Sequence, residues 1–202
     1  MKLPISVCVP LSERRKTIFT MLVAPSIKRN QPMETLISST AGNANEKRNA
    51  SARDATQEFL FFCDDDILLE KYCLRRLYQA LEGNPVASYA YCDFVVHNHP
   101  TRSDALVRPG IFDASKLRRQ NYISTMSLIR RDAFEAVGGF DESILRFQDW
   151  DLWLLLLKRG ITGMYVPQVL FTALYLDSGI TKGINGAEDA MRIVMQKHGL
   201  TT

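Results

Sequence analysis

The chain has 202 residues, 46% of them hydrophobic, enough to bury one full core and too few for two well-built domains. Its 25 Lys and Arg against 22 Asp and Glu leave a net charge of +3, too near balance for nucleic acid to be the main partner. No charged-then-apolar leader opens the sequence, and no uninterrupted apolar run approaches the roughly 20 residues of a membrane span. Cys8, Cys63, Cys73 and Cys92 have neither zinc nor redox spacing, so buried free thiols in a reducing compartment, the cytoplasm, are expected.

The first predicted element is the β-prone run Ile5-Ser6-Val7-Cys8-Val9-Pro10, followed from Ser12 through Lys28 by helical composition broken at Pro25. A strand over Glu34 to Ser38 leads into the cap-rich loop Thr40 to Asn45 and a helix from Glu46 to Thr56. Phe59 to Cys63 gives a third strand, Glu70 to Glu82 a helix, and Ala87 to Val96 a fourth strand beyond Gly83-Asn84-Pro85. Strands alternating with helices predict an α/β fold with a mostly parallel central sheet flanked by helices. Past His97 the pattern loosens into a polar stretch to Gly110 and a basic helix at Ala114 to Gln120. A strand over Tyr122 to Ile129, helical turns over Arg131 to Val137, and a glycine-dependent turn at Gly138-Gly139-Phe140-Asp141 follow. An apolar helix from Asp149 to Arg159 stopped by Gly160, a strand from Met164 to Tyr175 and a helix from Gly186 to His198 complete the chain.

Chemistry concentrates where the third strand ends in Asp64-Asp65-Asp66. Side chains alternate along extended backbone, so Asp64 and Asp66 can converge on one ligand while Asp65 points elsewhere. Such a pair suits a hard cation, Mg²⁺ or Mn²⁺, bound through oxygen and shared with a phosphate. The alternative is that the three acids open a loop and cap the next helix. In an open α/β sheet ligands bind beyond the carboxyl ends of strands, where Pro10-Leu11-Ser12 and Ser38-Ser39-Thr40 also stand. Gly42 to Asn49 adds a helix start with Lys47 and Arg48, a setting that attracts a diphosphate unless both are plain solvated charges. A second acidic group, Asp149-Trp150-Asp151, begins an apolar helix. Burial there would raise the pKa of Asp149 towards a general base, while the helix dipole pulls the other way and simple capping remains open.

Taken in order, these residues resemble the family-2 inverting glycosyltransferases with the nucleotide-diphospho-sugar transferase (GT-A) fold. The resemblance rests on Val7-Cys8-Val9-Pro10, on Glu46-Lys47-Arg48-Asn49, and on Phe61-Phe62-Cys63-Asp64-Asp65-Asp66 as a DxD motif. It continues through Ser127 to Arg131 and Gly138 to Glu142 to Gln148-Asp149-Trp150-Asp151-Leu152-Trp153. It implies one domain, 1–202, with a nucleotide-binding half (1–96) and an acceptor-binding half (97–202). A sugar would pass from a nucleotide-diphosphate donor to an acceptor hydroxyl with inversion. Asp66 and Asp64 would hold Mn²⁺ or Mg²⁺, while Pro10, Ser39, Arg48, Asp64 and Asp65 would lie along the nucleotide. Asp149 would take the acceptor's proton. The acceptor, whether a glycan, a lipid-linked molecule or a small molecule, is open, and peripheral membrane contact is compatible with the basic cluster Lys116, Arg118, Arg119.

The sequence also departs from the family's pattern. Ile37-Ser38-Ser39-Thr40 offers hydroxyls where the family presents an acid to the base, and Leu174 to Ser178 lacks the family's histidine, so that either Asp177 substitutes for it or this coordination is missing. Membrane helices and the polymerases' glutamine-and-arginine motif are absent, which points to single addition. His97 and His99 would share a face if extended, a possible metal pair or a solvated loop. Rival readings are a haloacid-dehalogenase-like phosphatase, whose aspartate pair would sit on its first strand, and a catalytically silent nucleotide-sugar-binding module. A sugar-nucleotide pyrophosphorylase is weaker, because Leu11 to Arg15 lacks glycine.

Overall fold

Phe59-Leu60-Phe61-Phe62 is apolar at every position because both faces of its strand are covered. The computed structural model describes residues 2–98, 101–175 and 186–200. Its strands are β1 (Leu3–Pro10), β2 (Pro32–Ser38), β3 (Phe59–Phe62), β4 (Ile67–Leu69), β5 (Ala87–Asn98), β6 (Ser103–Val107), β7 (Leu128–Arg130) and β8 (Thr162–Tyr175). Its α-helices are α1 (Lys16–Ile18), α2 (Ala24–Arg29), α3 (Ala44–Asp54), α4 (Cys73–Glu82), α5 (Ala114–Arg119), α6 (Arg131–Ala136), α7 (Gln148–Lys158) and α8 (Ala187–His198).

The strands form one sheet in the order β2-β1-β3-β7-β5-β8-β4, with β6 hydrogen-bonded to β5. β1 pairs in parallel with β2 and β3, as β5 does with β8. The short strands β4, β6 and β7 join antiparallel, so most of the paired length is parallel, as expected. Side-chain alternation sorts the cores. Ile5, Val7, Val9, Phe59 and Phe61 face one side with Phe19, Val23 and Ile27 and the α4 leucines Leu74, Leu77 and Leu81. Cys8, Leu60 and Phe62 face the other with Phe134 of α6 and Trp150, Trp153 and Leu156 of α7. All four cysteines are buried and free, as the sequence predicts.

Where the structure differs from the sequence reading, the causes are local. The break predicted at Pro25 is a change of helix type, since the π turn Phe19–Val23 precedes α2 and its wider winding gives the proline ring room. The helix predicted from Glu70 begins at Cys73, because Ile67–Leu69 pair with β8 and Tyr72 turns the chain at φ 71°. A strand therefore separates the three aspartates from α4, and they do not cap it. The polar stretch after His97 contains β6, a hairpin partner of β5. The strand predicted over Tyr122 to Ile129 contracts to β7. The Trp153 indole N–H takes the Ile123 carbonyl at 2.9 Å, and that of Trp150 takes Leu117 at 2.7 Å, fixing this approach to α7 instead of to a neighbouring strand.

Helix α3 positions the site. Asn43 caps it, accepting from the Asn45 and Glu46 N–H groups while Glu46 reaches back to the Asn43 N–H, so the helix starts two residues before the predicted Glu46. Asn45 and Asn49, one turn apart, grip the loop ahead of α7. Asn45 Nδ2 donates to the carbonyls of Asp141 (2.8 Å) and Ile144 (2.9 Å), and Asn49 donates to that of Phe140 (2.8 Å) and accepts from its N–H (3.0 Å). Gly139 makes this approach possible at φ 78°, and a Cβ there would lie 2.8 Å from Asn49 Oδ1 and 3.1 Å from Phe134. Gly139→Ala is expected to destabilise the fold by about 1 to 3 kcal/mol through backbone strain and this contact. Differential scanning calorimetry would show a lowered Tm, and an unchanged Tm would mean that α3 and this loop are not closely packed.

Candidate active site

The carboxyl ends of β1 and β3 open onto a cleft of about 900 Å³. Pro10, Arg48, Asp64, Asp65, Asp66 and Asp149 all line it. Ser39 does not: it is exposed past the end of β2, where Ser38 and Thr40 bond each other through their hydroxyls at 3.1 Å.

The three aspartates have different surroundings. Asp65 is buried, accepting at one oxygen from the Ser12 N–H (2.7 Å) and at the other from Arg15 (2.7 Å). It fastens the loop after β1 to the acidic loop, and its oxygens are committed to protein. Asp64 accepts from Arg48 Nη2 at 2.5 Å. Asp66 lies 3.0 Å from Arg15, and its main-chain carbonyl accepts from the Leu174 N–H, tying the acidic loop to β8. Burial pushes the Asp66 carboxyl up to about 7, and repulsion from Asp64 adds to this against the pull of Arg15. Lys47 donates to the Leu11 carbonyl at 2.9 Å, so it is engaged with the loop after β1 instead of being plainly solvated. Among the described residues no three His, Cys, Asp or Glu side chains converge as a full metal-ligand set.

Asp149 faces the cleft from the first turn of α7. Its Oδ1 accepts from Asn121 Nδ2 (2.9 Å) and from the Trp150 N–H (2.9 Å). Burial raises its pKa, the hydrogen bonds and Arg48 oppose the rise, and burial prevails. Asp151 is fully buried, and Lys197 (2.8 Å) and His198 Nε2 (2.7 Å) of α8 bind it. The two acids thus separate into one at the cleft and one that anchors the C-terminal helix.

Arg15 and Asn121 were not legible as site residues. Arg15 stands in a charged run with no motif, and Asn121 in the irregular stretch after α5, where only the fold brings it to Asp149. His97 lies on β5 beside Asp104 of β6 at 2.5 Å, while His99 and Asp177 fall outside the described residues. Lys116 is engaged with the Pro109 carbonyl (2.9 Å) and the Tyr122 ring (4.3 Å), leaving Arg118 and Arg119 as the exposed part of the basic cluster.

Residues 35–138 match the family described as Glycosyl transferase family 2. The chain is 26% identical over 134 residues to a Haemophilus influenzae protein named "Uncharacterized glycosyltransferase", covering 63% of this chain and 45% of that relative. It is similar to S. aureus TarS 1-349, with TM-score 0.69, 13% identity, and coverage of 98% of this chain and 64% of that one. The structure of TarS 1-349 in complex with UDP-GlcNAc gives TM-score 0.70 and 14% identity, over 96% of this chain and 65% of the other. At such identity the likeness shows the GT-A fold, and the chain spans less than two thirds of these relatives. No helix among the described residues is long and apolar enough to cross a membrane. With a match over more than half of its length and the sheet, cleft and motif order described above, the chain belongs to glycosyl transferase family 2.

Proposed function

We propose that this cleft carries metal-dependent transfer of a sugar from a nucleotide-diphosphate donor to an acceptor hydroxyl, with inversion at the anomeric carbon. The observation that carries the reading is one cleft lined both by the Asp64 and Asp66 carboxylates and by the Asp149 carboxylate. The UDP-GlcNAc complex of TarS supports a donor of that class. Residues 1–96 would hold the nucleotide and residues 97–202 the acceptor. The family match sets the phosphatase reading aside.

The donor set fits a hard cation shared with the diphosphate. Asp64 and Asp66 offer carboxylate oxygens at the cleft, and repulsion between them is one cause of the raised pKa of Asp66. They would hold Mn²⁺ or Mg²⁺, which when bound offsets charge gathering on the departing diphosphate. The start of α3, with Arg48 behind it, presents its positive end to the same place. Asp149 takes the acceptor's proton as the hydroxyl attacks. A single in-line displacement inverts the centre and needs no covalent nucleophile.

Asp149→Asn should reduce turnover of the cognate nucleotide sugar by about 10²-fold or more, with nucleotide binding in Mn²⁺ within about twofold of wild type. Unchanged turnover would remove Asp149 from its role. Because burial raises the pKa of Asp149 and a base acts ionised, turnover should fall as pH drops through that raised value. The acid limb should therefore lie above the ordinary carboxylate value of about 4, and a rate flat down to about pH 4 would contradict the assignment.

A further inference from the structure

Asn121 follows α5 in the irregular half of the chain and lines the cleft. Its Nδ2 donates to Asp149 Oδ1 at 2.9 Å, while its own Oδ1 is buried with no hydrogen-bond partner among the described residues. A buried amide oxygen without a donor is costly, and such a group calls for an explanation. Turning the amide over would point that oxygen at an ionised carboxylate, so the bond to Asp149 is what fixes its orientation. The Trp150 N–H reaches the same carboxylate oxygen at 2.9 Å. Two donors thus converge on Asp149 Oδ1, and among the described residues none donates to Oδ2.

We propose that Asn121 is the positioning residue of Asp149: together with the Trp150 N–H it occupies Oδ1, holds the carboxylate ionised, and leaves Oδ2 as the oxygen that accepts the proton. The proposal rests on the reading of Asp149 as the base. In that step the acceptor O–H bond breaks, its oxygen bonds to the anomeric carbon, the proton passes to Oδ2, and the diphosphate leaves with the electron pair. Arg48 from α3 is the cation that faces Asp149, and Arg146 and Asp64 line the same cleft. Loss of the Asn121 donor removes one stabiliser of the charged form, so the Asp149 pKa must rise.

The test is a carboxyl ¹³C NMR titration of the whole chain, with the Asp149 resonance assigned through Asp149→Asn. In Asn121→Leu, which keeps the side chain's bulk, the Asp149 midpoint should move up by about one pH unit, and any acid limb of nucleotide-sugar turnover should move with it. In wild type the Asn121 side-chain ¹⁵N amide signal should shift with the Asp149 midpoint, a readout that does not depend on the variant folding. An unmoved midpoint in Asn121→Leu, or an Asn121 amide signal blind to Asp149, would overturn the proposal whatever turnover does. A moved midpoint with turnover independent of pH would support the pairing and overturn the assignment of Asp149 as base. Turnover lowered equally at every pH, with the midpoint unmoved, would reduce Asn121 to a packing role.

Discussion

The site is organised around a guanidinium that water barely reaches. Arg48 is 2% exposed, and a buried cation that cannot lose its proton must be given partners. It has Asp64 at 2.5 Å, Asn45 at 3.0 Å and the Phe140 ring at 5.4 Å. These partners come from the end of β3, from α3 and from the loop after Gly139 that leads to α7. One buried charge therefore ties the acidic loop to α3 and to the loop that precedes the helix carrying Asp149. Removing one member of such a buried pair is strongly destabilising, because the other charge is left uncompensated.

Charge counting around the same loop supports a cation. Asp64, Asp65 and Asp66 crowd together against two guanidinium groups, Arg48 on Asp64 and Arg15 on Asp65 and Asp66. The imbalance falls on Asp66, which burial and Asp64 hold near 7. A divalent ion shared with a diphosphate would relieve both the repulsion among the acids and the repulsion between acids and phosphate. Asp65 has a different part: by accepting from the Ser12 N–H and from Arg15 it shapes the wall of the cleft.

How much could be read from sequence follows from where the information lies. Apolar runs announced β1, β3 and β5, and the acids at the end of β3 pointed to the cleft that they line. The start of α3 was legible in principle, since Asn43 and Glu46 have capping-box spacing. Strands β4 and β7 are three residues each and exist through their sheet partners, so periodicity could not mark them. Ser39 is the converse case: strand order put it beside the crevice, and the structure has it exposed past β2, off the lining. Arg15 and Asn121 matter only through tertiary contacts, made across 50 and 28 residues of sequence.

The most direct measurement is calorimetric titration of nucleoside diphosphates, UDP first, into the wild-type chain and Asp66→Ala, each with Mn²⁺ and with a chelator. The account predicts binding that requires Mn²⁺ in wild type and is lost in Asp66→Ala. Equal binding with the chelator present, or undiminished Mn²⁺-dependent binding in Asp66→Ala, would contradict a metal held by the acidic loop.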